Sequence, residues 1–240
     1  MHISAPVDPV LSASGIAAGY GKIAVLEDVA LDIGTGEAVG LVGPNGAGKT
    51  TLLNVLSGLL PRSAGEVRFE GAGLPSGAPR ATGRAGIVQV VEGHRVFSKL
   101  SVRDNIELGG YEMQAAARRA RLDDVLQTFP ELRDRLAEKA GALSGGQRQM
   151  LCIAQGLMRA PKLIMLDEPS AGLAPILVDR VVKLVEDLST RGVSVLFVDQ
   201  LVDRVAATCD RVYLMRQGRI IGQTSAADPG FKSRLEDVFF

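Results

Sequence analysis

An α/β fold, a parallel sheet with flanking helices, is the class this 240-residue sequence predicts, and three observations carry it. The segment GPNGAGKT at Gly43 to Thr50 lies between an apolar run, Ala38 to Val42, and the helix-like stretch TLLNVLSGLL. A second apolar run, Lys162 to Leu166, follows Pro161 and ends in the acids Asp167 and Glu168. After Pro169, strand and helix patterns alternate through Leu196 to Val198 and Arg211 to Met215, as a parallel sheet requires.

Taken in chain order, Gly15 to Phe69 reads as short strands around the Gly43 to Thr50 loop. The next segment, GAGLPSGAPRATGRAG, is rich in turn formers and reads as a flexible connection. Ser101 opens a helix with Asp104 as capping partner. Gln114 to Thr128 is helical, with Arg118, Arg119 and Arg121 on a charged face that water solvates. Ser144 and Gln147 form a second capping box, at the start of a helix running through Gln149 to Met158. Lys162 to Leu166 is a buried strand whose acids lie at its carboxyl tip, the end at which open parallel sheets bind ligands.

Phosphate binding is the chemistry these residues suit. Gly43, Gly46 and Gly48 let the backbone turn tightly with its N–H groups inward, and the following helix adds the positive end of its dipole. Pro44, Asn45, Ala47 and Thr51 complete the cradle. Lys49 supplies a point charge for the outer phosphates, and the Thr50 hydroxyl is placed to ligate a magnesium ion bridging them. Asp167 would hold that ion through its water shell, and Glu168 would orient and deprotonate an attacking water. The LSGGQ segment offers a second anion site, with Ser144, Gly145, Gly146 and Gln147 at a helix N-terminus. Its glycines cost the first turn roughly 1 kcal/mol each relative to alanine, which close approach of an anion to bare backbone would offset. Two half-sites per chain suggest a head-to-tail pair.

Together these motifs make the chain resemble the nucleotide-binding subunit of an ABC transporter, from about Ser14 to about Gly222. The resemblance implies a P-loop NTPase core with an N-terminal antiparallel β subdomain, an inserted helical lobe at about Phe97 to Ala140, and a C-terminal tail over residues 223–240. It implies binding of ATP and Mg2+, and hydrolysis by paired cassettes in which the LSGGQ residues of one close over the γ-phosphate held by the other. The family's adenine-stacking aromatic falls on Tyr20, which also fits a plain turn residue between strands. The implied partners are transmembrane permease subunits docked near Glu92 to Phe97, a second ATPase subunit that is either another copy or a LivG-like cassette, and, indirectly, a periplasmic solute-binding protein.

More narrowly, VVEGHRVFSKLSVRDNI, LDEPSAGLAP and VDQ resemble the LivF-type subunits of bacterial branched-chain amino-acid importers. Where most cassettes carry the glutamine of the Q-loop, the sequence has Glu92, with Gln89 as the competing alignment; Glu92 is favoured as a magnesium ligand and Gln89 as a strand residue. Gln200 stands at the usual switch histidine, where an amide can donate to a γ-phosphate yet cannot become a cation or transfer a proton near neutral pH. Glu168 therefore carries the base role and Gln200 that of sensor or positioner. Ala174 replaces the usual D-loop aspartate, and His94 and Asp199 stand where arginine and glutamate are expected in LivF-like chains.

Composition bounds the rest. At 46% hydrophobic residues the chain can bury a good core, as one domain or as a core with a lobe. Lys and Arg total 27 against 27 acids, so no basic field points to nucleic acid. No stretch approaches the roughly 20 apolar residues of a membrane span, and MHISAPVDPV lacks the regions of a secretion signal, so the chain is expected to stay in the cytoplasm, to which the resemblance adds a peripheral position on the inner face of the plasma membrane. Cys152 and Cys209 read as reduced core residues.

The expected function is ATP binding and hydrolysis that energises an importer, with branched-chain amino acids the first choice of cargo and urea, amides and other small polar solutes still open. A soluble ABC ATPase working on DNA or ribosomes would need long coiled coils or a second cassette. A non-hydrolysing nucleotide sensor would have only Gln200 and Ala174 in its favour, against Lys49, Asp167 and Glu168. A P-loop kinase would leave LSGGQ unexplained.

Overall fold

The computed structural model describes residues 9–93, 95–200 and 202–225. The chain opens with a long hairpin, β1 (Pro9–Tyr20) and β2 (Ile23–Gly34), followed by β3 (Ala38–Val42) and α1 (Lys49–Leu56). Next come β4 (Ala64–Phe69), β5 (Ala72–Gly73), α2 (Pro79–Ala85) and β6 (Ile87–Val90). A helical stretch follows: α3 (Val102–Gly109), α4 (Ala115–Thr128), α5 (Pro130–Arg133), a 3-10 turn at Ala140–Ala142, and α6 (Gly145–Leu157). The last elements are β7 (Leu163–Asp167), α7 (Pro175–Thr190), β8 (Ser194–Val198), α8 (Val202–Thr208), β9 (Arg211–Arg216) and β10 (Arg219–Ser225).

Two sheets result. Strands β2-β1-β4-β5 form a four-stranded antiparallel sheet, and β10-β9-β3-β8-β7-β6 a six-stranded sheet whose members are parallel except for β10. The parallel strands are buried on both faces, which is why AVGLV, LIML and SVLFV read as unbroken apolar runs rather than alternating ones. Successive side chains go to opposite cores. Ala38, Val42, Ile164 and Leu166 join a cluster with the helices α3 to α7, whereas Val39, Leu41, Leu163 and Met165 join one with β1, β2 and α1. Both cysteines are buried and free, and burial pushes the Cys152 thiol up to about 11. Among the described residues no helix is long and apolar enough to cross a membrane.

Four expectations change. Two strands of the first sheet are longer than expected: β1 and β2 run 12 residues each, and β1 begins at Pro9, ahead of Ser14, whereas β4 and β5 are short as read. Gly71 to Gly86 is not a flexible connection, because Ala72 pairs with Phe69 and Pro79 to Ala85 form a helix bounded by Pro at its start and Gly86 at φ 111° after its end. Arg62 pins the segment by donating to the Leu74 carbonyl at 2.8 Å. The arginine face of α4 is only partly solvated: Arg121 donates twice to the Leu157 carbonyl, at 3.0 and 2.6 Å, and Arg118 pairs with Glu107 at 3.7 Å. Gln223 to Ser225 belong to β10 rather than to a tail. His94, and residues 226–240 of the expected tail, lie outside the described residues.

The expected lobe is helical, and α6 shares its core: Ile106, Leu122, Leu126, Phe129, Met150 and Leu157 belong to one cluster. Asn105 fastens the lobe's entry. Fully buried, it accepts from the Phe97 N–H at 2.8 Å and donates to the Phe97 and Ser101 carbonyls at 3.1 and 2.8 Å. The Ser101 and Asp104 capping box is present as read, with both arms formed.

Candidate nucleotide-binding site

The glycine-rich loop joins β3 to α1 at the carboxyl end of the parallel sheet. Gly43 has no room for a side chain, since a Cβ there would lie 2.1 Å from the Met215 carbonyl oxygen on β9. Gly48, the residue before α1, sits at φ 105°, a backbone state that side-chain-bearing residues rarely adopt. No side chain caps α1, so its first N–H groups remain available to an anion. Ala47 is buried, accepts from the Gly218 N–H at 2.8 Å and donates its own N–H to the Pro44 carbonyl at 3.1 Å, which ties the loop to the β9 to β10 turn.

Lys49 is folded back over the loop. Its ammonium donates to the carbonyls of Gly43 at 2.9 Å and Pro44 at 3.3 Å, and lies 3.6 Å from the Glu168 carboxylate. Thr50 donates its hydroxyl to Asp167 Oδ1 at 3.2 Å. A cavity of about 390 Å³ is lined by Asn45 to Thr51 together with Val25, Glu92, Glu168 and Gln200. Gln89 lies in β6 and donates to Asn54 at 3.2 Å instead, so Glu92 is the member of that pair facing the cavity. Tyr20 ends β1, pairs with Ile23 across the hairpin turn, is half exposed, and accepts weakly from Asn54 at 3.4 Å. Val25 went unnoticed in the sequence, and nothing in its local pattern marks it.

The residues present fit a divalent cation beside Thr50. Asp167 is buried with Oδ2 lacking any hydrogen-bond partner, an orphaned anionic oxygen of the kind a cation satisfies. Burial raises its carboxyl to about 6; the Thr50 hydrogen bond and Lys49 oppose this, while the charges of Glu168 and Glu92 add to it. Among the described residues no cluster of three or more His, Cys, Asp or Glu could hold a metal alone, so a cation there would need further ligands such as water and phosphate.

Glu168 follows β7 in the left-handed backbone region at φ 46°, held by its N–H donating to the Val198 carbonyl at 2.8 Å. Its Oε2 accepts from the Gln200 amide at 2.6 Å. The carboxylate therefore stands between an amide donor and the Lys49 ammonium.

At the start of α6 both arms of the capping box are made: the Gln147 N–H donates to Ser144 Oγ at 3.3 Å and the Ser144 N–H to Gln147 Oε1 at 3.0 Å. Ser144 is exposed, and Ser144 to Gln147 do not line the chain's own phosphate cavity. One glycine is explained differently than expected. Gly146 is buried against α7, where a Cβ would come within 2.1 Å of Leu177 Cδ1, so packing as well as any anion favours its small size, and a larger residue would have to displace Leu177. Ala174, before α7, caps nothing with its side chain.

The match to the family model described as ABC transporter covers residues 26–171, more than half of the chain. The chain is 41% identical over 233 residues to the high-affinity branched-chain amino acid transport ATP-binding protein BraG of Pseudomonas aeruginosa, covering 96% of this chain and 99% of that one. It is 39% identical over 207 residues to the probable branched-chain amino acid transport ATP-binding protein LivF of Archaeoglobus fulgidus, covering 85% and 86%. Its fold superposes on the ADP conformation of MJ1267, an ATP-binding cassette of an ABC transporter, with a TM-score of 0.87 at 28% identity and 95% of each chain covered. With a phosphate loop, paired acids and an LSGGQ helix in that fold, the chain belongs to the ABC transporter family, as an ATP-binding subunit whose ATP hydrolysis is coupled to transport.

Proposed function

We propose that this chain powers import of branched-chain amino acids, as a cytoplasmic ATPase bound to permease subunits at the inner face of the plasma membrane and paired with a second cassette. One observation supports the ATPase half most: Lys49, Thr50, Asp167, Glu168 and Gln200 converge at the sheet's carboxyl end, while Ser144 stays outside that cavity and exposed. The cargo rests on the similarity to the BraG and LivF proteins.

On binding ATP, Lys49 exchanges the Gly43 and Pro44 carbonyls and Glu168 for the outer phosphates, joined by the open N–H groups of α1. Thr50 and Asp167, with Glu92 across the cavity, are the residues that would hold magnesium, whose charge offsets that of the phosphates. Tyr20 stacks on adenine. Glu168 takes a proton from water as the water oxygen bonds to the γ-phosphorus and the bond to the bridging oxygen breaks, its electrons leaving with ADP. Gln200 holds the base in position through its amide and transfers no proton. Ser144, Gly145, Gly146 and Gln147 complete the γ-phosphate site of the other cassette, so that closure of the pair depends on contacts made only in the ATP-bound state.

Reconstitution in vesicles with its permease subunits tests this reading. Leucine-loaded binding protein should stimulate hydrolysis; ATPase activity indifferent to leucine, isoleucine and valine in the complete assembly would overturn the cargo.

A further inference from the structure

Asp199 is a carboxylate at 3% exposure, set between the end of β8 and the chain that leaves β7. Its Oδ2 accepts from the Ser170 hydroxyl at 2.6 Å and from the Ser170 N–H at 3.3 Å. Its Oδ1 accepts from the Gln200 N–H at 2.8 Å. Ser170 lies two residues after Glu168, and Gln200 is the residue whose amide meets the Glu168 carboxylate. A single buried side chain thus ties the chain two residues after Glu168 to the residue whose amide meets the Glu168 carboxylate.

We propose that Asp199 is a positioning residue for ATP hydrolysis, aiming the Glu168 carboxylate through Ser170 and Gln200; this rests on Glu168 being the base. Glu168 is in a left-handed backbone state, which a residue with a side chain keeps only where its surroundings hold it. Among the contacts that hold it, the Glu168 to Val198 backbone bond and the Asp199 staple both join the tips of the same two strands. A buried charge is costly unless its oxygens are satisfied, and Ser170 and Gln200 are among the residues that satisfy them. An apolar side chain would fill the space without joining the two tips. Asparagine would replace one acceptor oxygen with a donor, so either the Ser170 N–H or the Gln200 N–H would lose its acceptor. Misplacement of a catalytic group by about 1 Å is enough to cost on the order of 100-fold in rate.

Steady-state ATPase measurements on the purified chain provide the test. Asp199→Asn is expected to lower kcat at least about 10-fold while KM for ATP stays within about twofold. Ser170→Ala, which removes only the hydroxyl contact, should lower kcat about threefold. Combined with Gln200→Ala, Asp199→Asn should fall no further than the slower single variant, because both act on the same carboxylate. An unchanged kcat in Asp199→Asn, a loss confined to KM, or full additivity with Gln200→Ala would each overturn the proposal. Should Asp199→Asn fail to fold, an unchanged kcat in Ser170→Ala overturns it. Glu168→Gln reports on the base alone: near-parental hydrolysis there sinks that reading whatever Asp199 does.

Discussion

The Gln200 amide donates to the Glu168 carboxylate at 2.6 Å, and the same carboxylate lies 3.6 Å from the Lys49 ammonium. Glu168, the proposed base, is therefore bracketed by an amide donor and an ammonium. In the proposed mechanism the γ-phosphate draws Lys49 away from Oε1 while the Gln200 amide stays on Oε2, which leaves Oε1 to accept from water.

Glu168→Gln should preserve ATP binding and lower turnover at least about 100-fold, because an amide cannot take the proton. The Gln200 contact survives in this variant, since a glutamine carbonyl still accepts it. Fluorescent-nucleotide binding beside phosphate release checks both halves, and hydrolysis near the parent rate would exclude Glu168 as the base.

Ser144→Arg places bulk and a cation at an exposed helix start that lines none of the chain's own cavity. Its own site should therefore still bind ATP, whereas ATP-dependent dimerisation in the Glu168→Gln background should vanish. Sedimentation with and without ATP measures this, and unaltered dimerisation counts against the sandwich arrangement.

Gly146→Ala should lower stability by about 1 kcal/mol, the cost of displacing Leu177 being partly offset by the roughly 1 kcal/mol that alanine gains over glycine in a helix. The clash is with Leu177 Cδ1, so Leu177→Ala in the same chain should recover part of the loss. Chemical denaturation of both variants tests it; equal stability of Gly146→Ala and parent would remove the packing role.

Asp167→Asn should raise the melting temperature of the nucleotide-free chain at neutral pH. The folded carboxyl, pushed up to about 6 mainly by burial, binds protons more tightly than the unfolded one at 3.8, so its stabilising contribution is full below pH 3.8 and lost as pH rises through 6. The advantage of Asp167→Asn should accordingly grow between about pH 4 and pH 6 and level off above that, by a few degrees at roughly 2–4 °C per kcal/mol for a chain of this size. Magnesium and ATP should reverse it, because the parent alone offers the cation a carboxylate. A melting difference that does not change with pH would exclude Asp167 as the titrating group.

The capping boxes at Ser101 and Ser144, the buried strand ending at Asp167, and Gly43 to Thr50 were legible because each is a local pattern with its own physics. The helix at Pro79–Ala85 was not, although Pro at its start and Gly86 after it were available signals; a seven-residue helix surrounded by turn formers is too short to show a period. Arg121 looked like a solvated charge because its acceptor, the Leu157 carbonyl, lies 36 residues away.

Local order of residues determined, with no help from the fold, which groups are proposed to meet a phosphate: the loop glycines, Lys49, Thr50, Asp167 and Glu168 are named by spacing that backbone geometry imposes. Tertiary structure alone decided how those groups are aimed. It brought Gln200 to Glu168 across 32 positions, Asp199 to Ser170 across 29, and Leu177 onto Gly146. Such contacts depend on which strand tips lie side by side in the sheet, and strand order is set by the packing of two cores rather than by any short stretch of chain.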